Sequence, residues 1–313
     1  MLKKVIDSCN YVAENSKDVK INYNNIEPLI DELSVFDNKH YMLSNPFGIM
    51  DLEIKDLVNF LLLYDSIDFC FWGTPKWKIE YENKEIDGGY ALLCVMLNYY
   101  NIYKDKIFDV INSAREEELQ KIFDGNVKIP LLAERIEILK SVSKIVTEKM
   151  NSNFYETIHS LSKDTELFNF IVEKFPSFKD ERTYHEQTIY FYKLAQLLTS
   201  DILHLRNYKE QLEVDYTNLV GCADYKIPQV LRSLNILEYS NELSLLIDNN
   251  EQLVENSSYE IEIRANTLKV IHYIHNKLDN KIARIDINDF IWLKGKKLDK
   301  NKKPYHITKT TTY

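Results

Sequence analysis

Asp224 stands in the string Gly221-Cys222-Ala223-Asp224-Tyr225-Lys226-Ile227-Pro228-Gln229, just ahead of Val230, Leu231, Leu234 and Leu237 at helical spacing. Pro228 reads as an early helical position, where a missing N–H costs nothing, and Asp224 as part of the loop feeding that helix. Backbone N–H groups at a helix start are unpaired and favour the ionised form of a carboxyl set among them. A fixed, ionised carboxylate suits a cationic transition state or an attacking water. The same spacing fits an ordinary capping aspartate, so other segments must decide.

Three further segments carry candidate chemistry. In Asp68-Phe69-Cys70-Phe71-Trp72-Gly73, aromatics crowd a turn. Phe69 or Trp72 could stack on a planar base, worth roughly 1–3 kcal/mol when a base is held this way, or the cluster could simply be core. Lys193, Leu197 and Asp201 follow i, i+4, i+8, which puts the lysine and the acid on one helix face, two turns apart. Such a pair could hold an anionic and a cationic or hydroxyl group of one ligand, or be two surface charges. Glu260-Ile261-Glu262-Ile263-Arg264 opens another helix with two acids, and Arg264 could clamp a carboxylate or phosphate. His272 and His275 have a metal-compatible spacing but no third ligand to match. There is no phosphate-cradling glycine loop, nucleophile elbow or Rossmann fingerprint, so no metal and no cofactor is expected.

These residues need a scaffold, and 313 residues can bury a sizeable core. Seven glycines and seven prolines are too few for a turn-rich β sandwich and favour helices joined by short loops. Helical periodicity runs through Lys3–Glu14, Asn25–Phe36, Glu53–Tyr64, Tyr90–Tyr100, Leu131–Lys149, Tyr155–His159, Leu167–Phe175, Thr188–Leu205, Pro228–Ile236 and Glu260–Lys277. Ile285–Leu293 fits a short helix or a strand. His40 to Pro46 reads as a break, and Trp77–Ile86, with Asn83-Lys84 at its centre, as a hairpin. The expectation is a mainly α fold: a single compact helical domain over residues 1–313 with a small β-hairpin.

Net charge is −9 and the pI about 5.4. Binding a nucleic-acid polymer draws on phosphate neutralisation by Lys and Arg, so this balance disfavours it as the main task. One basic stretch runs from Lys294 to Lys309 and fits a solvated end. Tyrosine is frequent at 21, against 14 Phe and 3 Trp, which is compatible with aromatic walls around a planar ligand. Cys9, Cys70, Cys94 and Cys222 form no Cys-x-x-Cys pair, as expected of reduced thiols in a cytoplasmic protein. The first residues lack a signal-like apolar run, and apolar runs such as Phe60–Leu63 are too short for a membrane span.

Taken together, the segments resemble the queuosine salvage protein family of queuosine-nucleotide N-glycosylases. The matching strings are Ser8–Ser16, Asp68–Trp72, Tyr192–Gln196 with Asp201, Ala223–Leu231, Glu260–Arg264 and Tyr305–Tyr313. The Ala-Asp-Tyr-basic-apolar-Pro-Gln string is the most specific. The resemblance implies a fold akin to helical DNA glycosylases and release of queuine from queuosine 5′-monophosphate, with queuosine itself a further candidate. It implies Asp224 and Asp201 as the catalytic carboxylates, with Asp224 stabilising the ribose cation and handling the water, and with Asp201 also a partner of the base or of its cationic aminomethyl-cyclopentenediol arm. Phe69 or Trp72 would stack on the base, His40 would lie near sugar or base, and Tyr225 is a further substrate-binding candidate. Lys193, Arg264 and Tyr313 are the candidates for the 5′-phosphate. The implied partner is therefore a small-molecule nucleotide, not a nucleic-acid polymer or a membrane.

The chain departs from the family pattern at Cys222, where a larger apolar residue is usual, and after Trp292. Its last residues lack arginine, so Lys309 would act only as a point charge. A non-catalytic protein that binds a modified nucleoside or tRNA stays open as an alternative, as does a hydrolase of ordinary purine nucleosides.

Overall fold

The structure is a computed structural model that describes residues 1–35, 40–44, 47–298 and 302–313. Phe36, Asn45, Pro46, Asp299 and Lys300, which figure in the sequence reading, lie outside the described residues.

The chain opens with helix α1 (Leu2–Asn15), strand β1 (Val19–Ile21) and α2 (Glu27–Ser34). Next come α3 (Ile54–Asp65) and the hairpin β2 (Lys78–Tyr81) and β3 (Lys84–Asp87), which turns directly into α4 (Gly88–Tyr103). Then follow α5 (Ile107–Ser113), α6 (Glu116–Gln120), α7 (Leu132–Lys149), α8 (Phe154–Ile158) and α9 (Asp164–Lys174). A second hairpin, β4 (Glu181–Tyr184) and β5 (Gln187–Tyr190), leads into α10 (Lys193–Glu210). The remainder is α11 (Lys226–Ser233), β6 (Leu237–Tyr239), α12 (Asn241–Asp248), β7 (Gln252–Leu253), α13 (Ser258–Lys277), α14 (Arg284–Lys297) and β8 (Ile307–Thr308). The fold is mainly α, and every sheet among the described residues has only two strands.

Periodicity explains the packing. Leu2, Val5, Cys9 and Val12 form one apolar stripe of α1, buried against α13. Burying each such side chain contributes roughly 1.5–3 kcal/mol. Helix α3 carries an almost unbroken run, Leu57 to Asp65, that is buried all round between α10, α8, α4 and α7. Gly295 lets α14 lie against α11, because a Cβ there would come within 2.6 Å of Val230 Cγ2. The acids of Glu260-Ile261-Glu262 serve the scaffold. Glu262 Oε2 accepts the N–H groups of Lys17, Asp18 and Val19 at 3.1, 2.7 and 3.1 Å, and Glu260 Oε2 accepts that of Asn256 at 2.5 Å.

One reading changes and one open alternative is decided. The pattern over Thr188–Leu205 is not one helix: residues 187–190 pair antiparallel with β4, and the helix starts at Lys193. Thr188, Ile189 and Tyr190 are β-branched or aromatic, favour a strand, and bury only Ile189 in the core. Tyr192, at φ +52°, makes the corner between strand and helix. The segment from Ile285 is the helix α14, not a strand.

Candidate active site

A cavity of about 310 Å³ opens where the Asp68–Phe71 turn meets the starts of α4, α10 and α11, the face of α14, and the last residues of the chain. Asp224 is on its wall. Oδ1 of Asp224 accepts the N–H groups of Lys226 at 2.7 Å and Ile227 at 3.0 Å, as the sequence predicts for a carboxyl feeding a helix start. Among the described residues no protein donor binds Oδ2, which leaves that oxygen to the cavity. The ionisation differs from the sequence expectation. Burial raises the carboxyl above the usual carboxylate range, outweighing the Lys193 charge and the two backbone donors. A carboxyl shifted towards neutrality is the better proton acceptor.

The loop that carries Asp224 is irregular and buried, so its backbone must be satisfied by side chains. Gln196 Oε1 accepts from Val220 N at 2.6 Å and Gly221 N at 3.2 Å, and its Nε2 donates to the Phe191 and Gly221 carbonyls. Asn288 Oδ1 accepts from Cys222 N at 2.9 Å, and Arg264 Nε donates to the Ala223 carbonyl at 2.9 Å. Gly221, at φ +135°, makes the bend, and a Cβ there would come within 3.1 Å of Ile271 Cδ1. Three helices therefore hold the catalytic candidate at the backbone on its N-terminal side.

The buried end of the cavity is acidic. Lys193 Nζ donates to Asp68 Oδ2 at 3.0 Å and to the Asp68 carbonyl at 2.9 Å. Asp289 lines the wall beside Trp292, and burial pushes its carboxyl up to about 6. Asp201 lies one layer deeper and is fully buried. The Tyr41 hydroxyl donates to its Oδ2 at 2.8 Å, and His40 Nε2 is 3.0 Å from its Oδ1. Burial pushes Asp201 up to about 7. Burial, helped by the neighbouring His204, holds His40 down to about 3, so its ring is neutral and Nε2–H donates to Asp201. The His40 and His204 rings stack 4.7 Å apart, and His204 Nε2 contacts Asp286 at 3.2 Å.

The exposed end is basic. Lys76, Lys226, Lys296 and Lys302 all face the cavity, with Asp87 paired to Lys76 at 3.4 Å. Lys226 lies 4.4 Å above the Tyr305 ring, and burial together with the charges of Lys76 and Lys302 lowers its ammonium to about 8. Lys296 sits 3.9 and 3.8 Å over the rings of Tyr90 and Trp292.

Of the residues singled out by sequence, Asp224, Tyr225, Phe69, Lys193 and Tyr313 meet on this wall. Four do not. Arg264 is fully buried, locked to Asp180 at 3.1 and 2.5 Å with its guanidinium over the Phe191 and Tyr313 rings. It is thus saturated before any phosphate arrives, and it positions the loop instead. Trp72 turns its indole to the Thr308 carbonyl at 3.2 Å, and Phe71 takes the wall position beside Phe69. Arg135 backs both rings at 4.4 and 4.9 Å. Asp201 and His40 stand behind Tyr41. Lys309 is exposed and off the cavity. His275 turns Nδ1 to the Ile282 carbonyl and His272 contacts Asn276; among the described residues no cluster of acids, histidines or cysteines is arranged to hold a metal.

The sequence reading missed Tyr41, Asp289, Lys76, Lys226, Lys296 and Lys302 as lining residues. The position of Lys226, two residues after Asp224, was the one available signal.

A family model described as queuosine salvage protein matches residues 50–313. The chain belongs to the queuosine salvage protein family. Relatives within this family include a protein of Sphaerobacter thermophilus, 32% identical over 265 residues, covering 82% of this chain and 81% of its own. A Dictyostelium discoideum protein is 28% identical over 334 residues, covering 100% of this chain and 99% of its own. A Mus musculus protein is 28% identical over 298 residues, covering 87% and 84%. All three are named queuosine 5′-phosphate N-glycosylase/hydrolase. No described helix is long and apolar enough to cross a membrane.

Proposed function

We propose that the chain hydrolyses the N-glycosidic bond of queuosine 5′-phosphate, giving queuine and ribose 5-phosphate. One observation carries the reading: a single cavity has a basic exposed end and an acidic buried end, with Asp224 on the wall between Lys226 and Lys193. The nucleotide has the matching polarity, a 5′-phosphate at one end and a cationic arm on the base at the other. The names of the relatives support the same substrate.

In this reading Lys226, with Lys76 and Lys302, takes the phosphate, and Phe69 stacks on the base. Asp289 faces the arm's ammonium, with Asp201 adding its field from behind Tyr41. As the C1′–N9 bond breaks, its electron pair goes to the base and positive charge develops on the ribose. Asp224 Oδ2 stabilises that charge and takes a proton from the water that adds its hydroxyl to C1′. The base gains one proton. Position 7 of a 7-deazaguanine is carbon, so the leaving group is assisted through its other heteroatoms, for which the Tyr225 hydroxyl is a donor on the wall. Four unpaired, buried cysteines support a cytoplasmic setting. One hydrophobic cluster from Leu2 to Ile291 supports treating residues 1–313 as one functional unit, and likeness to helical DNA glycosylases belongs to the same proposal.

The test is chromatographic detection of queuine after incubation with queuosine 5′-phosphate and, in parallel, queuosine. Queuine is expected from both, faster from the phosphate. Release of no base from either overturns hydrolysis in favour of a binding role. Faster release of guanine from guanosine 5′-phosphate overturns the substrate.

A further inference from the structure

Asp180, just ahead of β4, is buried and does not line the cavity, yet its carboxylate is tied to three of the elements that do. Oδ2 accepts the backbone N–H of Lys193 at 3.2 Å. That N–H is the first of α10, one of the orphan donors of a helix start, and Tyr192 at the cap position offers no side-chain acceptor. Asp180 therefore caps α10 from thirteen residues upstream of Lys193. Both oxygens also receive Arg264, Oδ1 from Nη1 at 3.1 Å and Oδ2 from Nη2 at 2.5 Å. Arg264 Nε in turn donates at 2.9 Å to the Ala223 carbonyl, one residue before Asp224. On the third side Arg182 Nη1 lies 3.5 Å from Oδ1, while its Nη2 donates at 2.8 Å to Thr312 Oγ1 in the last residues of the chain. Fold stability alone does not call for this arrangement. Taking a carboxylate and a guanidinium fully out of water costs energy that their attraction need not recover, and well-packed apolar side chains in their place often leave a protein as stable or more so. What apolar side chains cannot do is accept the α10 N–H and hold the Ala223 carbonyl. Those two contacts fix the start of α10, which carries Lys193, relative to the loop that carries Asp224.

We propose that Asp180 is a positioning residue that sets the spacing of Lys193 and Asp224 on the cavity wall, by capping α10 and by holding, through Arg264, the backbone next to Asp224. It touches neither the ligand nor the reacting atoms. Its effect on turnover rests on the function proposed above. Its effect on the two wall segments does not.

The test compares Asp180→Asn, which keeps the shape but loses the charge and one acceptor, with Arg264→Lys, which keeps a cation beside Asp180 but loses the fork and its Nε contact. In hydrogen exchange followed by mass spectrometry, Asp180→Asn is expected to speed exchange about tenfold in the segments 193–197 and 220–225 together, with α7 unchanged. Arg264→Lys is expected to do so in 220–225 only. With queuosine 5′-phosphate, both variants are expected to lose about 10- to 100-fold in kcat with KM within about threefold, because the lining residues are intact and only their spacing is loosened. A merely structural Asp180 would lower the melting temperature and leave kcat per folded molecule unchanged, and that result overturns the proposal. Faster exchange in Asp180→Asn that is spread evenly over the chain, or confined to one of the two segments, overturns it as well. If Asp180→Asn does not fold, Arg264→Lys decides: unchanged kcat, or unchanged exchange in 220–225, overturns the proposal. If the unaltered chain cleaves no queuosine nucleotide while exchange behaves as expected, the substrate reading fails and the positioning stands.

Discussion

The two ends of the cavity are built by opposite means. The acidic end is a deep layer of side chains fixed by one another: Tyr41 and His40 on Asp201, Lys193 on Asp68, His204 on Asp286. The basic end is a rim of lysines that are half-buried or exposed. Lys226 and Lys296 rest on aromatic faces, and the charges of Lys76 and Lys302 add to burial in lowering the Lys226 ammonium. A fixed floor suits discrimination of a base and its substituents. A rim of mutually repelling cations suits an anion that relieves the repulsion on arrival. Asp224 belongs to neither end, being held from its backbone by Arg264 and Asn288 and from its carboxyl by the start of α11.

The sharpest test of that division is Asp224→Asn, which keeps the two backbone hydrogen bonds but removes the charge. Turnover should fall by about 10³-fold, the scale of losing a positioned base and charge stabiliser together. KM and melting temperature should stay close to their starting values. A variant that keeps its turnover would take the chemistry away from the junction. The next effect belongs to the rim. Lys226→Ala should raise KM for queuosine 5′-phosphate by roughly 10- to 100-fold, the cost of a lost charge-assisted contact. It should leave cleavage of queuosine unchanged, and the difference should shrink as salt is added. Equal loss on both substrates would mean that the rim does not read phosphate. On the floor, Asp289→Asn should raise KM by about tenfold for the nucleotide with its cationic arm, and not for a guanosine nucleotide that lacks it. If both substrates suffer alike, Asp289 is scaffold and the division by charge loses its inner half.

The same contrast explains what the sequence disclosed. Asp224 was legible because its environment is local: the carboxyl, its two N–H donors and the proline lie within five residues. Long helices were legible from apolar spacing, as with α1 and α13. Pairings across the chain were not. β1 meets β6 more than 200 residues away, and strands of two or three residues carry no periodicity of their own. Arg264 and Asp201 were read as facing a ligand, whereas the structure sets them behind other side chains, off the cavity wall. Sequence shows that a charge sits on a helix, not whether a second side chain, Asp180 or Tyr41, already covers it. The rim lysines were hidden for the opposite reason. Lys296 and Lys302 sit in a run of lysines that reads as a solvated end until the fold sets Lys296 over Tyr90 and turns both towards the cavity.

The smallest predicted effect asks whether histidine offsets the floor's acidity. His40 is held neutral by burial, down to about 3, so between that value and its ordinary pKa of about 6.5 the unfolded chain binds a proton that the native chain does not. Its contribution to stability is therefore complete above about pH 6.5 and is lost as pH falls towards 3. Asp201 has the opposite sign. With its carboxyl raised to about 7, the native state binds the extra proton, so that contribution is complete below about pH 4 and is lost as pH rises through 7. Between about pH 4 and 6.5 the two slopes oppose each other, each about 1.4 kcal/mol per pH unit for one proton. Against the background of all other groups, His40→Gln, which keeps a donor for Asp201 but cannot protonate, removes one slope and leaves the other. Relative to the unaltered chain, its melting temperature should rise as pH is lowered across that window, by a few degrees per unit in a domain of this size. A difference that stays flat with pH would mean that His40 is protonated in the folded state, and the floor would then carry one negative charge fewer than the geometry assigns it.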